Sequence, residues 1–404
     1  MKSNYLKKIT ELSFLGLALI PLLKENVNSI LIIICALLTL VYNLQSKERT
    51  KPVPQLWLLT LPFWMFLLHE LLSQDNNFDR VLLHLPFLIL PLIFAFKPNY
   101  INTNIKRKSL FVFQFSVLLQ CAFYVLYFLI NNPLDKFFYV QNNIPFFREY
   151  VSENYFFEIH PTYFSSFLLI SFTLSFFLLK KSKKKIYAVL NMAIMTFFIF
   201  LFSSRMIILI LLLTIICALF YVFFQKGIKQ RLLILISTIV LLSLFIYPAR
   251  EVFGARFKEI KTEIDKPIVG DYYNSTNTRM AILKCSFLVL KELPFFGYGN
   301  SLQEKLNNCY QENNDSNFYL KQTFNTHNYY INLVAYGGWI FLLLFIVYLF
   351  YVYRKIKYSI LALFIFVQLL LINVTENYFS RHYGIVLSIY LLSMFIFIKE
   401  RETT

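Results

Sequence analysis

Residues 161–224 read PTYFSSFLLISFTLSFFLLKKSKKKIYAVLNMAIMTFFIFLFSSRMIILILLLTIICALFYVFF. Three apolar runs, 161–179, 186–203 and 206–224, are divided by a basic cluster from Lys180 to Lys185 and by the short turn Ser203-Ser204-Arg205. About 17–22 apolar residues suffice for a helix to cross a hydrocarbon layer roughly 30 Å thick. The stretch therefore predicts three membrane crossings, with the Lys-rich turn on one face and the Ser-Ser-Arg turn on the other. Runs at 9–23, 28–44, 55–72, 80–96, 109–130, 232–247, 329–350, 358–373 and 382–398 extend the expectation to about twelve spans. The first is short and interrupted by Glu11. It lacks a small-residue cleavage site, so it reads as an anchor rather than a removed signal peptide.

Over 404 residues the chain is 58% hydrophobic, 19% aromatic and 15% charged. Soluble domains sit nearer half apolar and a quarter charged, which excludes a water-soluble enzyme. So much Phe (46) and Tyr (27) excludes a disordered chain, and nine Gly exclude a glycine-packed bundle. The formal charge of +17 would suit nucleic acid, but its placement argues otherwise. Basic residues cluster at Lys47 to Lys51, Lys97 to Lys108, Lys180 to Lys185, Lys226 to Arg231 and Arg354 to Lys357. With a cytoplasmic N-terminus, these connections and both termini collect more than half of the 39 Lys and Arg but few of the 22 Asp and Glu. That asymmetry is the usual orientation signal. The expected fold is an all-α polytopic membrane protein, one transmembrane domain over 1–404 with both termini cytoplasmic. Its partner is the lipid bilayer, with no nucleic acid.

Two outer connections exceed what topology needs: 131–160 and 248–328. The second, about 80 residues long, is expected to be a partly helical periplasmic loop between spans 9 and 10 that carries part of an active site. Its Cys285 and Cys309 are the cysteines outside the spans; Cys35, Cys121 and Cys217 lie within them. An oxidising compartment would allow a disulfide, although the apolar run 281–290 favours a packed thiol at Cys285. Absence of CxxC, HExxH, Walker and GxGxxG patterns means that no metal, nucleotide or other cofactor is signalled.

Charges at the edge of the hydrocarbon are costly and mark functional candidates. Arg205 occupies a turn that Asn or Gly would serve better, which favours an anion site over a side chain that merely reaches for the interface. Arg279 follows Asn277 and Thr278, either of which suits a helix N-cap, so it is expected in the first helical turn. A cation there opposes the helix dipole unless an anion is also present. His327 closes the large loop where the span at 329 begins, and a histidine can accept a hydroxyl proton. His160 has the equivalent position before Pro161, where the proline alone explains the helix start. Glu376, Arg381 and His382 fall in the last outer connection and could pair with one another. Two guanidinium forks and an imidazole at one face suit transfer from a membrane-borne phosphate ester. A transporter would place polar groups mid-span or break its helices, and the sequence displays neither.

The same residues carry a resemblance. The chain resembles the O-antigen ligase and O-antigen polymerase superfamily of bacterial inner-membrane glycosyltransferases in an ordered set of motifs over about 190–350. The set comprises Ser203-Ser204-Arg205, Asn277-Thr278-Arg279, Pro294-Phe295-Phe296-Gly297-Tyr298-Gly299, and Thr326-His327-Asn328-Tyr329-Tyr330 leading to Gly337-Gly338. Where the family has a tryptophan-like position after the second Arg, this chain has Ala281-Ile282-Leu283. The resemblance implies a GT-C-like fold and metal-independent, inverting transfer of a glycan from undecaprenyl pyrophosphate on the periplasmic face. It implies that Arg205 and Arg279 bind the pyrophosphate and that His327 orients or deprotonates the acceptor hydroxyl. Asn328, Tyr330, His160 and Arg381 join them as expected substrate contacts. The leading expectation is a ligase acting on lipid A-core. A polymerase of lipid-linked units, a protein O-oligosaccharyltransferase and a lipid-linked sugar flippase are the alternatives; a flippase has no need of so long an outer loop.

Overall fold

A computed structural model describes residues 2–45, 55–73, 77–141, 144–181, 185–223 and 275–399, without 315–318 and 320–322, plus Gly254, Lys258 and Lys261. The expected span 232–247 and the loop from 248 to 274, those three residues apart, lie outside them. The described chain is helical, the exception being a two-residue antiparallel hairpin that pairs Val140 with Pro145 and Gln141 with Ile144. The helices are α1 (Lys2–Gly16), α2 (Glu25–Gln45), α3 (Leu56–Leu59), α4 (Leu61–Leu72), α5 (Asp79–His84), α6 (Pro86–Ala95) and α7 (Thr103–Asn131). They continue with α8 (Phe146–Ser152), α9 (Pro161–Lys181), α10 (Lys185–Phe202), α11 (Arg205–Phe223), α12 (Ser275–Lys291) and α13 (Leu302–Asn313). The chain ends with α14 (Tyr329–Ile356), α15 (Ile360–Thr375) and α16 (His382–Phe397). Five of these, α2, α7, α9, α10 and α14, are long and apolar enough to cross a membrane. The chain is an all-α membrane protein.

Prolines explain where expected spans are interrupted. The run 55–72 is divided at Thr60 into α3 and α4, with Pro62 in the first turn of α4, and the run 80–96 is divided at Leu85, with Pro86 opening α6. Proline donates no backbone hydrogen bond, so the ladder is interrupted at each, although Leu85 before Pro86 keeps helical φ and ψ. The first expected span is not one α-helix either. It passes from α1 into a 3-10 segment, Leu17–Leu22, that contains Pro21, and its Glu11 pairs with Lys108 at 3.2 Å.

The chain folds as two compact units, 1–20 with 25–109 and 262–404, and 21–24 with 110–261. At the centre of the first stands α16, buried along its whole length from His382 to Ile396. A helix that is apolar on every face must be enclosed on every face, and α6 packs directly against it. In the second unit, α9 buries Ser165, Ser166, Ser171, Thr173 and Ser175 completely. These small side chains let helices approach closely, a role that glycine more often fills in membranes. Gln114 and Asn191 then tie α7 and α10 to Ser175 of α9, at 2.7 and 2.6 Å.

Candidate functional site

Glu376 lies at the C-terminal end of α15, where a carboxylate faces the negative end of the helix dipole. Its side chain is only 9% exposed, so it needs positive partners. They come from two other elements. Arg279 of α12 donates from Nη2 to Oε1 at 2.9 Å, and Nδ1 of His327 stands 3.3 Å from Oε2. Each carboxylate oxygen thus faces one of the two groups that the sequence singled out. The His327 contact is close in distance but is not aligned as a hydrogen bond, and such contacts often tighten only when substrate binds. Arg279 keeps 42% of its side chain exposed, leaving donors of its fork open to an incoming anion.

The loop before α14 holds the imidazole in place. His327 has φ +44°, a left-handed conformation uncommon for a side-chain-bearing residue. Both neighbours and a nearby amide fix it there. The Asn325 carboxamide accepts the His327 N–H at 2.9 Å, and Asn328 caps α14 by accepting from Ile331 at 3.0 Å. Thr326 donates either to the Asn328 carbonyl at 3.0 Å or to the Asn377 carboxamide at 3.2 Å. The Thr326–Asn377 contact joins the neighbours of His327 and Glu376, so the two side chains are positioned as a pair. Strain of this kind persists only where surrounding contacts over-determine it.

Two expectations about this region need correction. Helix α12 is already formed at Ser275, so Arg279 lies beyond the first turn and no N-cap at Asn277 or Thr278 operates. The fit of a cation there comes from Glu376. In addition, α14 is broken at Gly337-Gly338, although no interrupted helix was expected. Gly338, at φ +71° and ψ −177°, occupies a region that only glycine enters readily. The turn at 294–299 fits into the break: Tyr298 N–H donates to the Ala335 carbonyl at 2.9 Å. A Cβ at Gly297 would collide with the Tyr336 carbonyl, and one at Gly338 with the Phe295 carbonyl. The two glycine motifs read from the sequence are therefore halves of one interlock. The Tyr298 hydroxyl completes it by reaching the Glu292 carbonyl at 2.8 Å. Burial, with the Glu292 charge adding to it, raises the Tyr298 pKa, so the phenol stays a neutral donor.

Cys285 and Cys309 form a disulfide between α12 and α13, where a packed free thiol had been favoured. Both cysteines are buried, at 0% and 7% exposure. The apolar run that suggested packing also presses the two helix faces together, so burial and cross-linking coincide. Closing a loop of this length restricts the unfolded chain by about 3 kcal/mol in the chain-entropy picture. Replacing both cysteines by serine should lower unfolding stability by about that amount. Thermal unfolding of the detergent-solubilised protein, with and without reductant, measures it; reductant should leave the double variant unchanged.

The other expected site residues are placed as follows. Tyr330 spends its hydroxyl on the Leu370 carbonyl at 2.9 Å, joining α14 to α15, and Asn328 serves as the helix cap described above. The side chain of Arg381 is exposed and makes no hydrogen bond or ion pair among the described residues. Arg205 and His160 belong to the second unit. Arg205 opens α11 after Ser203 and Ser204, and the φ of +46° at Ser203 makes the tight turn between α10 and α11. His160 accepts the Thr162 N–H on Nδ1 at 3.3 Å, capping α9 together with Pro161. Glu376 is the residue whose role the sequence understated, because its partners lie 97 and 49 positions away along the chain.

Comparison with known families adds independent weight. Residues 190–346 match the O-antigen ligase family model. No curated protein matches the chain. The matched segment contains Arg205, Arg279, His327 and both glycine motifs, whereas Glu376 lies beyond it. Such a domain supports an enzyme of the O-antigen ligase or polymerase type, working on lipid-linked glycans in a bacterial membrane. Residues 190–346 thus resemble the O-antigen ligase family, and the likeness of this chain to the O-antigen ligase and polymerase superfamily holds over that segment.

Proposed function

We propose that the chain is a metal-independent, inverting glycosyltransferase. It moves a glycan from undecaprenyl pyrophosphate to a hydroxyl of lipid A-core, or a similar acceptor, at the periplasmic face of the inner membrane. The observation that carries this reading is the sharing of one buried carboxylate by Arg279 and His327. With Nδ1–H turned toward Glu376, Nε2 of His327 offers its lone pair to the acceptor hydroxyl. The acceptor oxygen attacks the anomeric carbon, the bond from that carbon to the pyrophosphate oxygen breaks, and the hydroxyl proton passes to His327. The charge that builds on the departing pyrophosphate is met by the free donors of Arg279. Arg205 enters as a second phosphate contact on the strength of its place in the matched segment and at the turn that opens α11.

The outer-face assignment draws on two supports. Lys and Arg concentrate in the opposite set of connections, and disulfides persist in oxidising compartments. Apolar side chains of α12 that remain exposed, Leu283 at 46% and Phe287 at 52%, suit a helix lying along the membrane surface. Twelve spans remain the proposed topology. The break in α14 gives the flippase reading one feature that it had lacked, but the break is filled by the turn at 294–299 rather than open to a cargo. Ligase and polymerase differ in the acceptor. Proteoliposomes supplied with a lipid-linked glycan and either lipid A-core or a second lipid-linked unit should extend lipid A-core. Exclusive extension of the second unit would make the chain a polymerase, and movement of donor without transfer would make it a flippase.

A further inference from the structure

The first unit contains a cavity of about 220 Å³ that none of the residues discussed so far explains. Its wall is mainly polar and comes from distant parts of the chain: Asp79 and Arg80 of α5, Asn300 of the turn before α13, Gln303 of α13, Asn325, and Asn332 of α14. Carboxamides, a carboxylate and a guanidinium provide donors and acceptors side by side. Among the described residues the Asp79 carboxylate and the Asn332 carboxamide have no hydrogen-bond partner. The floor is rigid. Tyr336, 1% exposed, donates its hydroxyl to the buried Glu70 carboxylate. Glu70 in turn accepts from Asn300 at 3.0 Å and lies within 3.4 Å of the Ser73 hydroxyl.

The charge balance decides what such a cavity would hold. Arg80 stacks over the Tyr336 ring at 5.8 Å from its centroid, with Asp79 beside it and Glu70 behind Tyr336. One carboxylate and one guanidinium line the cavity, so its wall carries no net positive charge to hold a diphosphate and is otherwise mainly neutral amides, which suits a polyol. The volume lies below the roughly 300–1,000 Å³ of pockets for drug-sized ligands, which fits one sugar ring of a longer glycan. Asn325 links the cavity to the site: it lines the cavity, and its carboxamide accepts the His327 N–H.

We infer that this cavity is a monosaccharide subsite that seats one neutral sugar of the glycan or acceptor beside the His327 loop. Its part in catalysis rests on the transfer reading above, whereas sugar binding does not require that reading. The test is saturation-transfer NMR on purified full-length protein in nanodiscs, probed separately with glucose, galactose, N-acetylglucosamine and inorganic pyrophosphate. At least one sugar should give a saturable signal that excess pyrophosphate leaves in place. Asn332→Leu and, separately, Asp79→Asn should weaken it roughly tenfold or more, as loss of hydrogen bonds to a desolvated polar ligand does. Arg279→Ala should preserve it. Asp79→Asn keeps size and shape, so it reports on the site even if Asn332→Leu fails to fold. No signal from any sugar, competition by pyrophosphate, or an unchanged signal in Asp79→Asn would each overturn the inference. Sugar binding in a protein that transfers no glycan would uphold the subsite and sink only the proposed reaction.

Discussion

His327→Gly should reduce glycan transfer by about 10²–10⁴-fold, the range that a positioned general base contributes, while the protein inserts and unfolds much like the wild type. Glycine is the informative replacement. His327 adopts φ +44°, which glycine tolerates at no steric cost, so the variant relieves strain while it removes the imidazole. A fall in kcat with normal thermal unfolding separates chemistry from structure. His327→Ala should lose the same activity and some stability as well. If His327→Gly turned over donor at the wild-type rate, the imidazole would have no part in the reaction, and the left-handed loop would be a packing feature alone.

Arg279→Ala should cost about 10²–10³-fold in transfer, comparable to removing one preorganised donor that meets developing charge. Arg279→Lys should recover little, because the ammonium cannot hold the Glu376 carboxylate and a phosphate oxygen with the geometry of a planar fork. Stability should fall as well, because the Glu376 carboxylate, 9% exposed, loses a partner, although the 42% exposure of Arg279 limits the loss. Arg205→Ala is expected to lose transfer too. Arg279→Ala carries a second readout, because it also frees Glu376 and so disturbs His327. Transfer assays paired with donor-binding measurements check both.

Much of the fold could be read from residues with local consequences. Basic clusters such as Lys180 to Lys185 mark one face because a charge at the hydrocarbon edge is costly, and α9, α10 and α11 lie over the three apolar runs quoted at the outset. Proline positions were equally visible, yet their effect on the runs 55–72 and 80–96 was missed because hydropathy is blind to a missing backbone donor. Gly337-Gly338 reads as a small-residue pair in sequence. That it forms a break filled by Phe295 to Gly297 depends on a partner some forty residues earlier. Glu376 illustrates the same limit. Nothing local distinguishes it from Arg381 or His382, and its weight comes from Arg279 and His327, which the fold alone brings to it. Cys285 shows how a correct argument for burial led to the wrong chemistry: the side chain is packed, but its sulfur is bonded to Cys309.

Glu376 offers the sharpest test, because it was picked out by geometry and lies outside the segment that matches the family. The measurement is the initial rate of glycan transfer in proteoliposomes by Glu376→Gln, a change that removes the charge and keeps the shape. With Arg279 and His327 both leaning on that carboxylate, the rate should fall roughly a hundredfold, in line with loss of a group that orients a general base and a charge clamp, with insertion unaltered. A wild-type rate would mean that the shared carboxylate organises nothing, and the proposed reaction centre would have to be sought elsewhere in the chain.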